Sequence, residues 1–491
     1  MLFNTFLFAV VFLPLTLLGY FAISKYSMRL SIGFLLLASL VFYSYWDISF
    51  LPLLLGSITM NYLVGRLIFW KREIGRNYLA KIALILGLVL NLGLLGFFKY
   101  FDFVVANLAW TTGLDLKPPG ITLPIGISFF TFTQIAYLVD SYAGKVREQK
   151  VENYGLFVTY FPHMIAGPIL HHKDMMPQFD QSASHVFSSG RLLVGMSIFV
   201  VGLFKKVVLA DGVARFVGPV FDVHFADLTM LEAWCGALAY TFQLYFDFSA
   251  YSDMAYGLSY IFGIILPINF YSPYKARSII DFWRRWHITL STFLKDYLYI
   301  ALGGNRFGST RRYINLLVTM LLGGLWHGAN WTFVVWGALH GAYLVINHVF
   351  RHFMGARKSA LVDALGWPIT FLVVVVAWVF FRATSLGVAF DVLQAMLGGT
   401  FHQVAGEGLL GFNRIMQIYE CLAWLIVCGL IAFFVPNAYE LIQRQEVRRL
   451  EAGQGDRAIE GGWLGFLMAL AFILLAISET RGTSEFIYFN F

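Results

Sequence analysis

The residues best suited to chemistry are histidines set in apolar sequence. His327 stands in LLGGLWHGANWTFVVWGALHG, with Gly323 and Gly324 before it and Gly328 after it. An imidazole in a membrane stretch is costly to place and marks a functional position. Its ordinary pKa near neutrality suits it to take a proton from a hydroxyl. The flanking glycines would let a substrate approach the backbone closely. His340 is thirteen residues further on; on an unbroken helix it would face elsewhere, and it reads as structural. His287, in WRRWHITLS, is the best companion. Residues 279–300 follow a helical period, with Asp281, Arg284, Arg285, Ser291, Lys295 and Asp296 on one side. Trp283, Trp286, Leu290, Phe293 and Leu294 lie opposite. This pattern predicts an interfacial amphipathic helix with His287 at the edge of the apolar side, turned toward the protein interior or the bilayer and not the cytoplasm.

Other groups invite weaker readings. His163 sits among Pro162, Gly167 and Pro168, a broken stretch that needs burial in protein or a wet cavity. Asp247 and Asp253 lie within YFDFSAYSDM, where pairing with a cation is the expected use and a cation pathway the alternative. His171 and His172 are adjacent and point to different sides, so no metal site is expected. Cys235, Cys421 and Cys428 lack metal spacing and read as small apolar residues. Phosphate loops, dinucleotide fingerprints and nucleic-acid modules are not evident. The chain closes on FIYFNF, an apolar hexapeptide in which Tyr488 carries the hydroxyl. Either this tail is docked or Tyr488 has a chemical task.

The elements that must hold these groups are membrane helices. The chain is 59% hydrophobic and 13% charged, against roughly 25% charged in soluble domains. Its apolar runs are solid rather than alternating, which implies helices and not a β-barrel. Candidate spans fall at 5–23, 30–46, 50–70, 82–108, 121–141, 151–170, 191–210, 230–248, 251–268, 313–349, 367–383, 415–435 and 462–478. The first lacks a basic leader and cleavage site and reads as a retained span with its N-terminus outside. Lys71, Arg72, Arg76 and Lys81, the basic stretch 271–312, and Arg444, Arg448, Arg449 and Arg457 are placed inside. The tail then lands outside. Residues 1–461 read as one membrane domain and 462–491 as a final span with an exterior tail.

The run from YFDFSAYSDMAYG through FWRRWHITLSTFLKDYLYIALGGNR to GGLWHGANWTFVVWGALHG closely resembles the membrane-bound O-acyltransferase family, in particular its members that acetylate exopolysaccharides. The resemblance covers essentially the whole chain and is most specific over 245–341. It implies an all-α ring of tilted transmembrane helices, with re-entrant or interfacial helices, around a central funnel or tunnel. It implies that His327 is the principal catalytic histidine and His287 the second active-site position. It places an acyl donor, expected to be acetyl-CoA, on the cytoplasmic side and an acceptor outside, with no bound cofactor. Trp326, Asn330, Arg284, Arg285, Trp286, His163 and Asp247 become candidates for donor binding or tunnel lining. FPHMIAGPILHHKDMMPQF departs from the alginate-type pattern, which carries Gln at the position of His163 and Arg at that of His171. The polymer therefore stays open between alginate, cellulose and another glycan.

The FIYFNF tail resembles the terminal aromatic motif of the single-span peptide that serves teichoic-acid D-alanylation, which implies an acyl-carrying role for Tyr488. Ten residues separate Ser478 from Tyr488, a reach of roughly 33 Å when extended, comparable to the hydrocarbon thickness. The competing reading is an aromatic anchor at the bilayer interface. The implied partners are an extracytoplasmic SGNH-like polysaccharide acetyltransferase, the exopolysaccharide secretion machinery and membrane lipid, in a bacterial inner membrane. Two other functions share these residues: a lipid or protein acyltransferase of the same family, and a transporter of an acyl donor or glycan precursor.

Overall fold

The computed structural model describes all residues except 147–149, 223–227, 355–359, 399–408, 442–460 and 491. Arg444, Arg448, Arg449 and Arg457, taken above as an inside loop, lie outside the described residues, as does Phe491. The described chain is helical, with no β-strand among the described residues. Among them eight helices are long and apolar enough to cross a membrane: Leu7–Ser24, Ile48–Glu73, Asn77–Thr112, Ser189–Ala214, Trp331–Met354, Ala364–Arg382, Met416–Phe434 and Trp463–Thr480. The protein is an all-α polytopic membrane protein.

Two expected breaks fall differently. Residues 230–248 and 251–268 read as two spans, but Met230–Ile261 is one unbroken helix. Neither proline nor a left-handed residue interrupts it. It ends where Gly263 takes a positive φ of 74°, with Pro267 shortly beyond. Conversely, 313–349 is divided into Gly308–His327 and Trp331–Met354. Asn330 caps the second helix: its side-chain oxygen accepts from the Thr332 N–H at 3.1 Å and its amide donates to the Thr384 carbonyl at 3.0 Å.

The chain divides into two compact units. The first comprises Met1–Leu203, Ala250–Ile268 and Arg444–Phe491. Its membrane helices pair two buried amides with each other. The side chains of Asn61 and Asn91 exchange hydrogen bonds at 3.1 and 2.7 Å, which removes the cost of burying two amides in apolar surroundings. This unit also answers the question of the tail. Asn4 donates to the Ser478 hydroxyl at 3.4 Å and to the Ser484 carbonyl at 3.2 Å. Phe486 meets the Tyr251 ring edge-on at 5.2 Å, and Tyr251 stacks on Phe3 at 5.0 Å. Phe486 and Tyr488 are 1% and 2% exposed. The tail is docked against the beginning of the chain.

The second unit comprises Phe204–Ser249 and Asn269–Gln443. Its centre is the hairpin of Gly308–His327 and Trp331–Met354. Small residues let the two backbones touch. A Cβ on Gly324 would overlap the Phe333 carbonyl oxygen, and one on Gly337 would overlap that of Met320. A Cβ on Gly328 would strike the Phe333 ring. The glycines beside His327, expected to admit a substrate, instead admit the returning helix.

Candidate active site

His327 is the last residue of its helix and is 2% exposed. The turn at Gly328–Asn330 sends the chain back, so residues after it return alongside those before it. Three aromatic rings surround the imidazole. Trp326, Trp336 and Phe381 stand 4.9, 5.0 and 5.1 Å away, all edge-to-face. The cage excludes water, which strengthens electrostatic interactions inside it, while aromatic edges and faces leave the imidazole a polarisable wall.

The hairpin also decides where His340 stands. On a continuous helix it would face away from His327, but the helix is broken. Trp336 bridges the two histidines, 5.0 Å from His327 and 4.7 Å from His340. The Trp283 indole N–H donates to His340 Nδ1 at 3.3 Å. Indole nitrogen is only a donor, so Nδ1 is unprotonated and the neutral ring carries its hydrogen on Nε2.

His287 reaches the interior by a different geometry from the one expected. Residues 279–300 are not one amphipathic helix. A short helix Ile279–Trp283 ends, the chain turns, and a second short helix Ile288–Phe293 begins, followed by a π-helical stretch, Leu294–Tyr299. His287 is the hinge, with φ 42° and ψ 54°. Among the described residues, only His287 and Ser272 are non-glycine residues with positive φ. Such a conformation costs of order 1 kcal/mol or more and persists only where surrounding contacts enforce it. Here they do. The Ile288 N–H donates to the Asn269 carbonyl at 3.0 Å, and the Tyr271 N–H to the Arg285 carbonyl at 2.9 Å. The break buries His287 completely while leaving the charged side outward: Asp281 pairs with Arg285 at 2.8 Å, and Arg284 is exposed.

Asn269 fixes the chemistry of that imidazole. Its side-chain oxygen accepts from the Thr289 backbone N–H at 3.4 Å and hydroxyl at 2.9 Å, and lies 3.1 Å from His287 Nδ1. A backbone N–H can only donate, so the atom facing Thr289 is the oxygen. Nδ1 of His287 must then carry the hydrogen, and the basic lone pair is on Nε2. Phe248 meets the ring edge-on at 4.7 Å. Burial without a compensating charge pushes the His287 pKa down to about 3. The ring is therefore neutral at physiological pH.

The two histidines are brought to the same indole. Trp326 is 6.2 Å from His287 and 4.9 Å from His327. Trp286 belongs to the same aromatic body, 4.9 Å from Trp378, which contacts Phe381 at 5.3 Å. The remaining candidates are placed otherwise. Asn330 caps its helix through the side-chain oxygen and gives one amide N–H to the Thr384 carbonyl. Asp247 is buried in an ion pair with Lys206 at 2.9 Å, and Lys206 also meets Asp211 at 2.9 Å. This is the structural pairing expected of an intramembrane carboxylate. His163 belongs to the first unit, where its Nε2 donates to the Phe157 carbonyl at 3.0 Å. Gly167 packs on the His163 backbone too closely for any Cβ. Residues that sequence reasoning did not single out are Asn269, Trp336, Trp378 and Phe381. A polar Asn among the apolar residues of LPINFYSPY was the one available signal.

This caged imidazole pair sits in a chain whose residues 4–390 match the model of the membrane-bound O-acyltransferase family. The chain belongs to that family. It is a membrane O-acyltransferase. It is 45% identical to the probable alginate O-acetylase AlgI of Azotobacter vinelandii, over all of both chains. It is 41% identical to the peptidoglycan O-acetyltransferase of Helicobacter pylori, over all of this chain and 98% of that one. A more distant relative is the teichoic acid D-alanyltransferase of Streptococcus thermophilus, 28% identical over 45% of this chain and 56% of that protein.

Proposed function

We propose that this membrane O-acyltransferase takes acetyl from cytoplasmic acetyl-CoA and delivers it for O-acetylation of an extracellular polysaccharide, with His327 as the general base. The observation that carries this reading is His327 itself: a fully enclosed imidazole at a helix break, sharing one indole with a second, neutral imidazole. Its water-poor cage suits proton transfer from a hydroxyl to a neutral base. The end-to-end likeness to an alginate O-acetylase and a peptidoglycan O-acetyltransferase supports acetyl as the group and a cell-surface glycan as the acceptor. His287 positions or polarises the acceptor through Nε2. The phosphates of the donor meet the basic stretch 271–312, where Arg284 is exposed. The protein works in the bacterial inner membrane, its tail extracytoplasmic, beside an SGNH-like transferase and the secretion machinery.

In the first step the Tyr488 hydroxyl oxygen adds to the thioester carbon. His327 takes the phenolic proton, the C–S bond breaks, and the proton passes to the departing thiolate. The resulting phenyl ester is activated toward a sugar hydroxyl. A second reading, in which the tail is only an anchor, is favoured by the burial of Phe486 and Tyr488. Incubation of the purified protein with acetyl-CoA, followed by mass mapping of the C-terminal peptide, distinguishes the two. The relay predicts an added acetyl on Tyr488 that is lost in Tyr488→Phe together with polymer acetylation. Full polymer acetylation by Tyr488→Phe leaves the anchor. A transporter would carry no adduct and show no transfer.

A further inference from the structure

Beside His327 lies a group of N–H donors with no acceptor. The rings of Trp336, His340 and Trp378 contact one another, with centroids 4.7, 5.8 and 6.0 Å apart. All three are buried to within 1% of complete. Trp336 Nε1, Trp378 Nε1 and His340 Nε2 each lack a hydrogen-bond partner among the described residues. The indole nitrogens are obligate donors. His340 Nε2 is a donor too, because Nδ1 accepts from Trp283. A buried donor without an acceptor costs on the order of 1–3 kcal/mol, and three in one cluster are a demand for oxygen. Nothing cationic fits such a site.

We infer that these three N–H groups receive the carbonyl oxygen of the acyl group under transfer, one ring away from the base His327. The inference rests on the acyl-transfer reading above and names its oxyanion donors. As the nucleophile's oxygen adds to the carbonyl carbon, the π pair moves onto the carbonyl oxygen. It returns when the C–S bond breaks. No proton reaches that oxygen, so the donors act by charge and hydrogen bonding alone.

The test uses full-length protein in detergent or vesicles with acetyl-CoA. Trp336→Phe and Trp378→Phe keep an aromatic ring and remove the N–H. His340→Gln keeps both an acceptor toward Trp283 and an N–H near the position of Nε2, whereas His340→Phe keeps only the ring. Loss of one oxyanion donor should lower kcat about 10²-fold with KM little changed. His340→Gln should stay within about tenfold of the wild type, with an unaltered pH profile. Folded Trp336→Phe, Trp378→Phe and His340→Phe proteins with wild-type kcat would overturn the inference and leave the cluster as packing around a water. If these variants do not fold, infrared spectroscopy of [1-13C]acetyl-CoA bound to His327→Ala decides. A carbonyl stretch moved to lower frequency supports the site, and an unmoved one overturns it. Failure to bind acetyl-CoA at all removes the donor reading and the inference with it.

Discussion

The two histidines of the candidate site differ in the backbone that carries them and in the groups that surround them. His287 is fixed by hydrogen bonds: Asn269 dictates its tautomer, and a strained left-handed backbone turns it inward. His327 stands at a regular helix end, between the rings of Trp326, Trp336 and Phe381. The difference bears on their tasks. A ring whose protonation pattern is set by a neighbour holds a proton at one nitrogen and presents a lone pair at the other, as an orienting group should. A base that cycles, the role proposed for His327, must gain and lose its proton between the rings of Trp326, Trp336 and Phe381.

That contrast can be broken at several points. His327→Ala should lower acyl transfer by about 10³-fold, while membrane insertion and thermal stability stay close to wild type; radiolabelled acetyl transfer in vesicles measures it. His287→Ala should cost less, about 10²-fold, because it removes assistance and not the base. Equal losses in the two variants would erase the distinction. Asn269→Ala frees the His287 tautomer and exposes the Thr289 donors, for an expected loss of about tenfold in kcat. Asn269→Asp keeps the acceptor and should recover part of it, while a carboxylate so close to His287 raises its pKa. The acid limb of the pH–rate profile should then move upward. The smallest effect concerns stability. His287 has a folded pKa near 3, below the ordinary value near 6.5. Between these pH values the unfolded chain binds the extra proton, so stability rises with pH across that window and levels off above it. His287→Gln should flatten that part of a pH-dependent thermal melt.

How much of this was legible follows from particular residues. His327 and His287 could be found because an imidazole in apolar sequence is expensive wherever it lands. The helical period turned His287 toward either the protein interior or the bilayer, on a continuous helix that does not exist; the break at φ 42° delivers the ring to the interior by another route. The surroundings of His340 were hidden for the complementary reason. Its spacing from His327 was counted along one helix, and the turn at Gly328–Asn330 folds that distance back on itself. Asn269 had no periodic signal. Its role depends on Thr289 and His287, twenty and eighteen residues away, meeting its side-chain oxygen.

By itself the sequence determined that this chain lives in a membrane as helices, which residues are too polar to lie there idly, and which enzyme family it joins. Those properties are local: transfer free energy is summed residue by residue, and a motif is a string. The tertiary structure decided the rest. Which nitrogen of His287 and of His340 carries its hydrogen, which glycines serve packing, what Asn330 bonds to and which indole N–H groups lack an acceptor are set by atoms from distant segments meeting at bonding distance. Hydrogen bonds and steric contacts depend on that meeting, and composition and periodicity do not record it.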